Sequence, residues 1–213
     1  MKSVLISIQP KWCELIASGK KTIEVRKTRP KIDVPFKCYI YQTKESKRRF
    51  LDHRFNSAIN GISHHTEMGK VIGEFVCDCI ANYEAELWDD ETYERIQEFF
   101  EPDDFAEYGE YEYKTIADNG DDFWRENMLC SSSCITIEEL RKYVGCGIAT
   151  FYGWHISNLV IYDKPKELSE FYSLCEKGNC HLCDWEREFD SCGCNRKKPI
   201  TRPPQSWCYV TEQ

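Results

Sequence analysis

Lys21, Glu24 and Arg26 stand close together in the stretch Gly19-Lys20-Lys21-Thr22-Ile23-Glu24-Val25-Arg26. The pattern reads as a helix that stops at Gly19 and a strand that starts at Thr22. Along a strand, side chains alternate between faces, so Glu24 and Arg26 project from one side and Ile23 and Val25 from the other. Lys21, at the junction, can turn to the same side as Glu24. A lysine, a carboxylate and a guanidinium converging beside a helix end can hold a phosphate, a nucleobase or a carbonyl group. The plainer reading is a solvated strand edge carrying ordinary surface charges.

A second cluster is built from thiols. Cys175, Cys180, Cys183, Cys192 and Cys194 fall in one short loop with spacing C-x4-C-x2-C-x8-C-x-C. The two-residue gap of Cys180-His181-Leu182-Cys183 lets two thiolates share one metal. Structural zinc takes four such ligands in a tetrahedron. Five cysteines and His181 compete for those four places. The preferred set is Cys175, Cys180 and Cys183 with either Cys192 or Cys194, and the ion is zinc in a structural role. A loop of free thiols is the alternative. Arg196, Lys197 and Lys198 add a basic patch beside it. Cys13 has no base in its neighbourhood and does not read as a nucleophile.

The elements that must position these groups follow from pattern. Ser3 to Ile8 is apolar and β-branched, which predicts a strand. Gln9 to Ser18 predicts a short helix with Pro10 in its first turn, Trp12, Leu15 and Ile16 on one face, and Gly19 as its stop. Further strands are expected over 37–43, 70–80, 154–162 and 206–211, and 44–69 reads as a basic loop. Thr136-Ile137-Glu138-Glu139 is a capping box that opens a helix to about Val144, ended by Gly145. The spacing of Tyr93, Ile96, Gln97 and Phe100 predicts an amphipathic helix. About six strands with two or three short helices suggest an α+β fold, a small mixed β-barrel.

The chain has 213 residues and a formal net charge of −8, a size that suits one domain with insertions. The charge is uneven. From Glu84 to Asp122 there are sixteen acidic and two basic residues, so the remainder carries about +6. A mildly basic body therefore holds an acidic segment. That segment contains eight aromatic residues, Trp88 to Tyr113, and is expected to fold rather than stay disordered. It can act as a solvated cap, shield a basic cleft, or dock a basic protein partner. No apolar run approaches the roughly 18 residues that cross a bilayer, and the N-terminal residues lack a signal-peptide pattern. Thirteen cysteines without an export signal point to reduced thiols and a cytoplasmic location.

The run Gly19-x-Lys21-x-x-Glu24-x-Arg26 after a strand–helix unit resembles the signature of the ASCH domain family, within the PUA-like superfamily of small β-barrels. Gly69-Lys70-Val71-Ile72-Gly73-Glu74-Phe75 resembles the family's mid-barrel strand. The stretch Tyr152-Gly153-Trp154-His155-Ile156-Ser157 to Tyr162-Asp163-Lys164-Pro165 resembles a later strand and its exit. Arg202-Pro203-Pro204-Gln205-Ser206-Trp207 resembles the closing strand of phage-type and bacterial members. The resemblance covers roughly 1–80 and 134–211. It implies a single ASCH domain over 1–213 with insertions at about 81–133, acidic and partly helical, and 172–199, rich in cysteine.

The resemblance implies binding of RNA or a modified nucleoside in a cleft lined by Lys21, Glu24 and Arg26. Trp12, Trp154 or Tyr41 can supply a stacking face for an unpaired base; burial in the core is the alternative for all three. One small bacterial member removes acetyl from N4-acetylcytidine, and its catalytic lysine falls at Lys21. Its candidate nucleophile, a threonine, falls at Glu24; a carboxylate does not readily replace a hydroxyl as an acyl acceptor but can activate a water as general base. An amidohydrolase of an acylated nucleoside is thus one alternative. In it Glu24 acts as base, Lys21 stabilises the oxyanion and Arg26 orients substrate. Glu74 is a candidate second carboxylate. A protein-interaction module working through the acidic segment is the other alternative.

Overall fold

The computed structural model describes residues 3–44, 68–87, 94–100, 112–118, 128–173 and 198–212. They form a sheet-dominated α+β fold with few helices and fall into two compact units.

One unit takes in residues 1–14, 36–75 and 159–213. Its seven-stranded sheet has the order β11-β10-β12-β1-β3-β4-β9. The strands are β1 (Ser3–Ile8), β3 (Phe36–Gln42), β4 (Val71–Cys77), β9 (Ser157–Lys166), β10 (Phe171–Ser173), β11 (Lys198–Pro199) and β12 (Trp207–Glu212). β1 runs parallel to β3 and antiparallel to β12. Every residue of β1 is buried, as an unbroken Val-Leu-Ile run requires when both faces of a strand are covered. On one face Leu5, Tyr39, Tyr41, Val71, Leu168, Phe171, Ile200 and Val210 form a cluster, with Tyr39 edge-on to Phe171 at 4.9 Å between ring centres.

The other unit takes in 15–35 and 76–158. Its antiparallel sheet has the order β2-β8-β5-β6-β7, with β2 (Ile23–Arg26), β5 (Ile80–Leu87), β6 (Glu94–Phe100), β7 (Glu112–Asp118) and β8 (Gly147–His155). The register sets Ile23 opposite His155 and Glu24 opposite Trp154. It also sets Tyr83 opposite Phe151 and Ala85 opposite Ala149. Val25, Tyr83, Ala85, Leu87, Ile96 and Phe151 are buried, and alternation puts them on one face. Tyr83 and Phe151 stack there at 5.1 Å. Helices α2 (Met128–Ser133) and α3 (Ile137–Val144) complete the unit.

Several expectations are met locally. Helix α1 (Pro10–Ala17) ends where Gly19, at φ +72°, adopts the left-handed conformation that glycine takes without steric cost. Helix α3 starts at a full capping box: Glu139 N–H donates to Thr136 Oγ1, and the Glu139 carboxylate accepts from Thr136 N–H. The barrel is corrected. Among the described residues neither sheet closes on itself, because β4 and β5 belong to different sheets, as do β8 and β9. The breaks lie at Asp78-Cys79 and at Ile156, which splits the strand predicted over 154–162.

The helix predicted from Tyr93 to Phe100 is also corrected: Glu94–Phe100 is the strand β6. Ile96 lies opposite Ala85 in the ladder and is fully buried. Arg95 lies opposite Glu86 and bonds its carboxylate at 2.8 Å. A free edge of β5 with a matching apolar and charged register outweighs a four-residue helical spacing. Among the described residues no helix is long and apolar enough to cross a membrane.

Candidate functional site

Lys21, Glu24 and Arg26 come together, as their spacing predicts, but they are buried rather than solvated. Their exposures are 3%, 5% and 7%. Glu24 lies between the two cations: Lys21 Nζ is 3.3 Å from Oε2 and Arg26 Nη2 is 2.9 Å from Oε1. Burial of charge is tolerated only with such pairing.

The cover comes from α2, which packs on β2. Lys21 Nζ donates to Ser133 O at 2.6 Å and Thr22 N–H donates to Ser132 O at 2.7 Å. These are carbonyls of the last turn of α2, which have no partner within the helix and carry partial negative charge. Cys134 follows at φ +54°, where a helix commonly turns out of its axis, and its thiol bonds Lys20 O. Ser133 is itself fully buried, and its hydroxyl has no hydrogen-bond partner among the described residues.

Beyond Arg26 the chain surfaces. Lys27 and Arg29 are exposed, and each lies over a ring. Lys27 Nζ is 5.4 Å from the centre of Tyr143, and the Arg29 guanidinium is 5.9 Å from that of Tyr152. Both distances lie within cation–π range. Tyr152 sits opposite Arg26 in the ladder, so the two share a face. Burial pushes the Tyr143 hydroxyl above its ordinary value, with the Glu24 charge adding to the rise. The Arg26 charge and a hydrogen bond from the Lys27 backbone oppose it.

The remaining candidates are placed as follows. Trp154 has no exposed surface and, in this conformation, packs as a core residue rather than offering a stacking face. Tyr41 is a core residue of the first unit. Trp12 is half-buried on α1, with Lys11 Nζ 4.2 Å from its ring centre. Glu74 is held in the first unit by Lys37 at 2.7 Å and by the Tyr162 hydroxyl at 2.5 Å. Cys13 is buried and its thiol bonds Ile8 O. Cys175, Cys180, Cys183, Cys192 and Cys194, with His181 and the zinc they were expected to hold, lie outside the described residues.

Sequence reasoning missed Lys27, Arg29, Tyr143 and Ser133. The first two carried a signal, since they continue the motif's basic run. Tyr143 and Ser133 did not, because only the packing of α2 and α3 brings them to β2.

The profile of the ASCH domain matches residues 6–117, more than half of the 213 and through much of the acidic segment. No curated protein sequence matches the chain. Among solved structures, the chain is similar to ASCH from Zymomonas mobilis at 16% identity and a TM-score of 0.47, with 98% of this chain and 87% of that one covered. A Tyr-to-Phe mutant of the Zymomonas mobilis protein gives 16% identity and a TM-score of 0.47, covering 99% and 91%. A Ser-to-Ala mutant of it gives 15% and 0.47, covering 98% and 88%. On the extent of the profile match, the chain belongs to the ASCH domain family.

Proposed function

We propose that this chain binds RNA or a modified nucleotide at the end of β2. The observation that carries the proposal is the sequence of charges there. A buried chain of Lys21, Glu24 and Arg26 passes directly into exposed Lys27 and Arg29, each over an aromatic ring. Exposed cations attract phosphates and release counterions on binding. Aromatic and guanidinium planes stack unpaired bases. The buried trio fixes the strand that presents them, and its formal balance of two cations to one anion adds positive potential.

The same geometry favours binding over the amidohydrolase alternative. Both Glu24 oxygens are engaged by cations, which leaves this carboxylate poorly placed to take a proton from water.

The test is equilibrium binding of a mixed single-stranded RNA pool at about 150 mM salt. Wild type is compared with Lys27→Glu/Arg29→Glu and with Lys21→Ala/Arg26→Ala. The proposal expects measurable wild-type affinity that falls at least about tenfold in the first variant, with the fold retained. Equal affinity in that variant, or no wild-type binding to RNA or to nucleosides, sinks it.

A further inference from the structure

Asp78, Cys79 and His155 lie together in the second unit, on a face that the Lys21–Glu24–Arg26 group does not use. The ladder pairs Ile80 with Trp154. Just past the end of that ladder, His155 N–H donates to Cys79 O at 3.0 Å, which continues the antiparallel register by one residue and brings Cys79 alongside His155. Residues opposed in this way share a face, with Cβ atoms about 5 Å apart. Glu24 lies opposite Trp154, so alternation puts it on the other face.

The imidazole is oriented. His155 Nδ1 lies 2.6 Å from Asp78 Oδ1. Asp78 is held ionised: the hydrogen bond from His155 is the main cause lowering its carboxyl below the ordinary value, and one from Ser157 adds to it. With Asp78 ionised, Nδ1–H donates and Nε2 is left as an acceptor. The single Ser157 hydroxyl proton is shared between Asp78 and Val76 O, the latter at 2.9 Å, and it ties down the start of β9. Cys79 is a free, exposed thiol and His155 is exposed as well. Asp78 and His155 are 44% and 46% exposed, so small molecules reach both.

A thiol, a base beside it and a third group orienting that base are the parts of an activated nucleophile. We propose that Cys79 is a reactive thiol served by the His155–Asp78 pair, and that its covalent partners are small uncharged electrophiles and low-molecular-weight disulfides. With a disulfide, the Cys79 proton passes to His155 Nε2 and the thiolate attacks one sulfur. The S–S bond breaks as the new one forms, and the departing thiolate takes the proton back from the imidazolium. With a haloacetamide, a C–S bond forms, the carbon–halogen bond breaks and halide leaves. Cys77, two residues away, does not compete. It is fully buried, donates to Cys79 O and has its thiol pushed up to about 12 by burial and by the Asp78 and Cys79 charges.

The experiment is timed labelling of the folded, reduced full chain with iodoacetamide, with each cysteine quantified by peptide mass spectrometry. Cys146, also exposed, is the internal standard. The expected result is that Cys79 reacts about tenfold faster than Cys146. His155→Asn should bring Cys79 down to the Cys146 rate without changing Cys146, and Asp78→Asn should give an intermediate loss. Cys77 reports folding, since it labels only if the unit opens. If His155→Asn exposes Cys77, Asp78→Asn alone decides. Oxidised glutathione should form its mixed disulfide at Cys79 in the wild type and more slowly in the variants. Cys79 reacting no faster than Cys146, or a fast Cys79 that neither variant slows, overturns the proposal.

Discussion

Arg26 Nη2 donates to Glu24 Oε1 across 2.9 Å within a strand whose charged residues are almost wholly buried. Two residues apart on a strand they share a face, but a surface pair of this kind is worth little. Removing one partner of a buried pair leaves an uncompensated charge and costs about 3–5 kcal/mol. Glu24→Ala removes the one carboxylate that both buried cations share and should cost at least about 3 kcal/mol in urea unfolding. Replacing all three together, as Lys21→Met/Glu24→Leu/Arg26→Met, should cost less than Glu24→Ala alone. If Glu24→Ala moves the midpoint by no more than an exposed substitution does, the trio is screened by solvent and its structural role fails.

A second ion pair makes a pH-dependent prediction. At Glu74 burial raises the carboxyl. Hydrogen bonds from Lys37 and Tyr162 outweigh it, together with the Lys37 and Lys166 charges, so the net shift is downward from 4.5. A carboxylate lowered on folding contributes stability above its unfolded value and loses it as pH falls through the folded one. Tyr162→Phe should therefore cost about 1 kcal/mol at pH 7. That cost should shrink at acid pH, as the pH falls through the lowered value and Glu74 takes up its proton. Urea midpoints of the two proteins at neutral and at acid pH are the check. A cost independent of pH would show that the hydroxyl does not act through the ionised carboxylate.

Gly73 sets how closely β4 and β9 approach. A Cβ there would sit 2.4 Å from Val160 O and 3.2 Å from Ile161 Cα, both backbone atoms that cannot rotate away. Gly73→Ala should cost about 1–3 kcal/mol by overpacking. Thermal unfolding measures it, and an unchanged midpoint would mean the two strands separate without cost.

What the sequence revealed and what it concealed divide by range. Ser3–Ile8 and the Thr136 capping box were legible because each is decided by its own neighbours. The convergence of Lys21, Glu24 and Arg26 was legible from alternation and from the motif. Their burial was not, because Lys21 is capped by the carbonyl of Ser133, 112 residues away. Tyr93, Ile96, Gln97 and Phe100 fit a helical period, yet β6 forms there because β5 offers it an edge. Long-range pairing leaves no local trace in such short segments.

Alkaline stability gives the last prediction, with Cys77 as its cause. Burial is the largest influence on this thiol, the Asp78 and Cys79 charges add to it, and together they push it up to about 12. An unfolded thiol ionises near 8.5. Below that value both states hold the proton and Cys77 adds no pH dependence. Above it the unfolded chain loses the proton while the folded one keeps it, so stability falls by up to about 1.4 kcal/mol per pH unit until the folded thiol also titrates. Cys77→Ala removes this term but opens a small cavity, which costs about 1 kcal/mol near neutral pH. The wild type should thus be more stable than the variant at pH 7, and the advantage should narrow and then reverse by about pH 10. Urea unfolding of both proteins at pH 7, 9 and 10 tests this. A stability difference that stays constant across that range would show that the Cys77 thiol ionises as readily in the folded protein as in the unfolded chain.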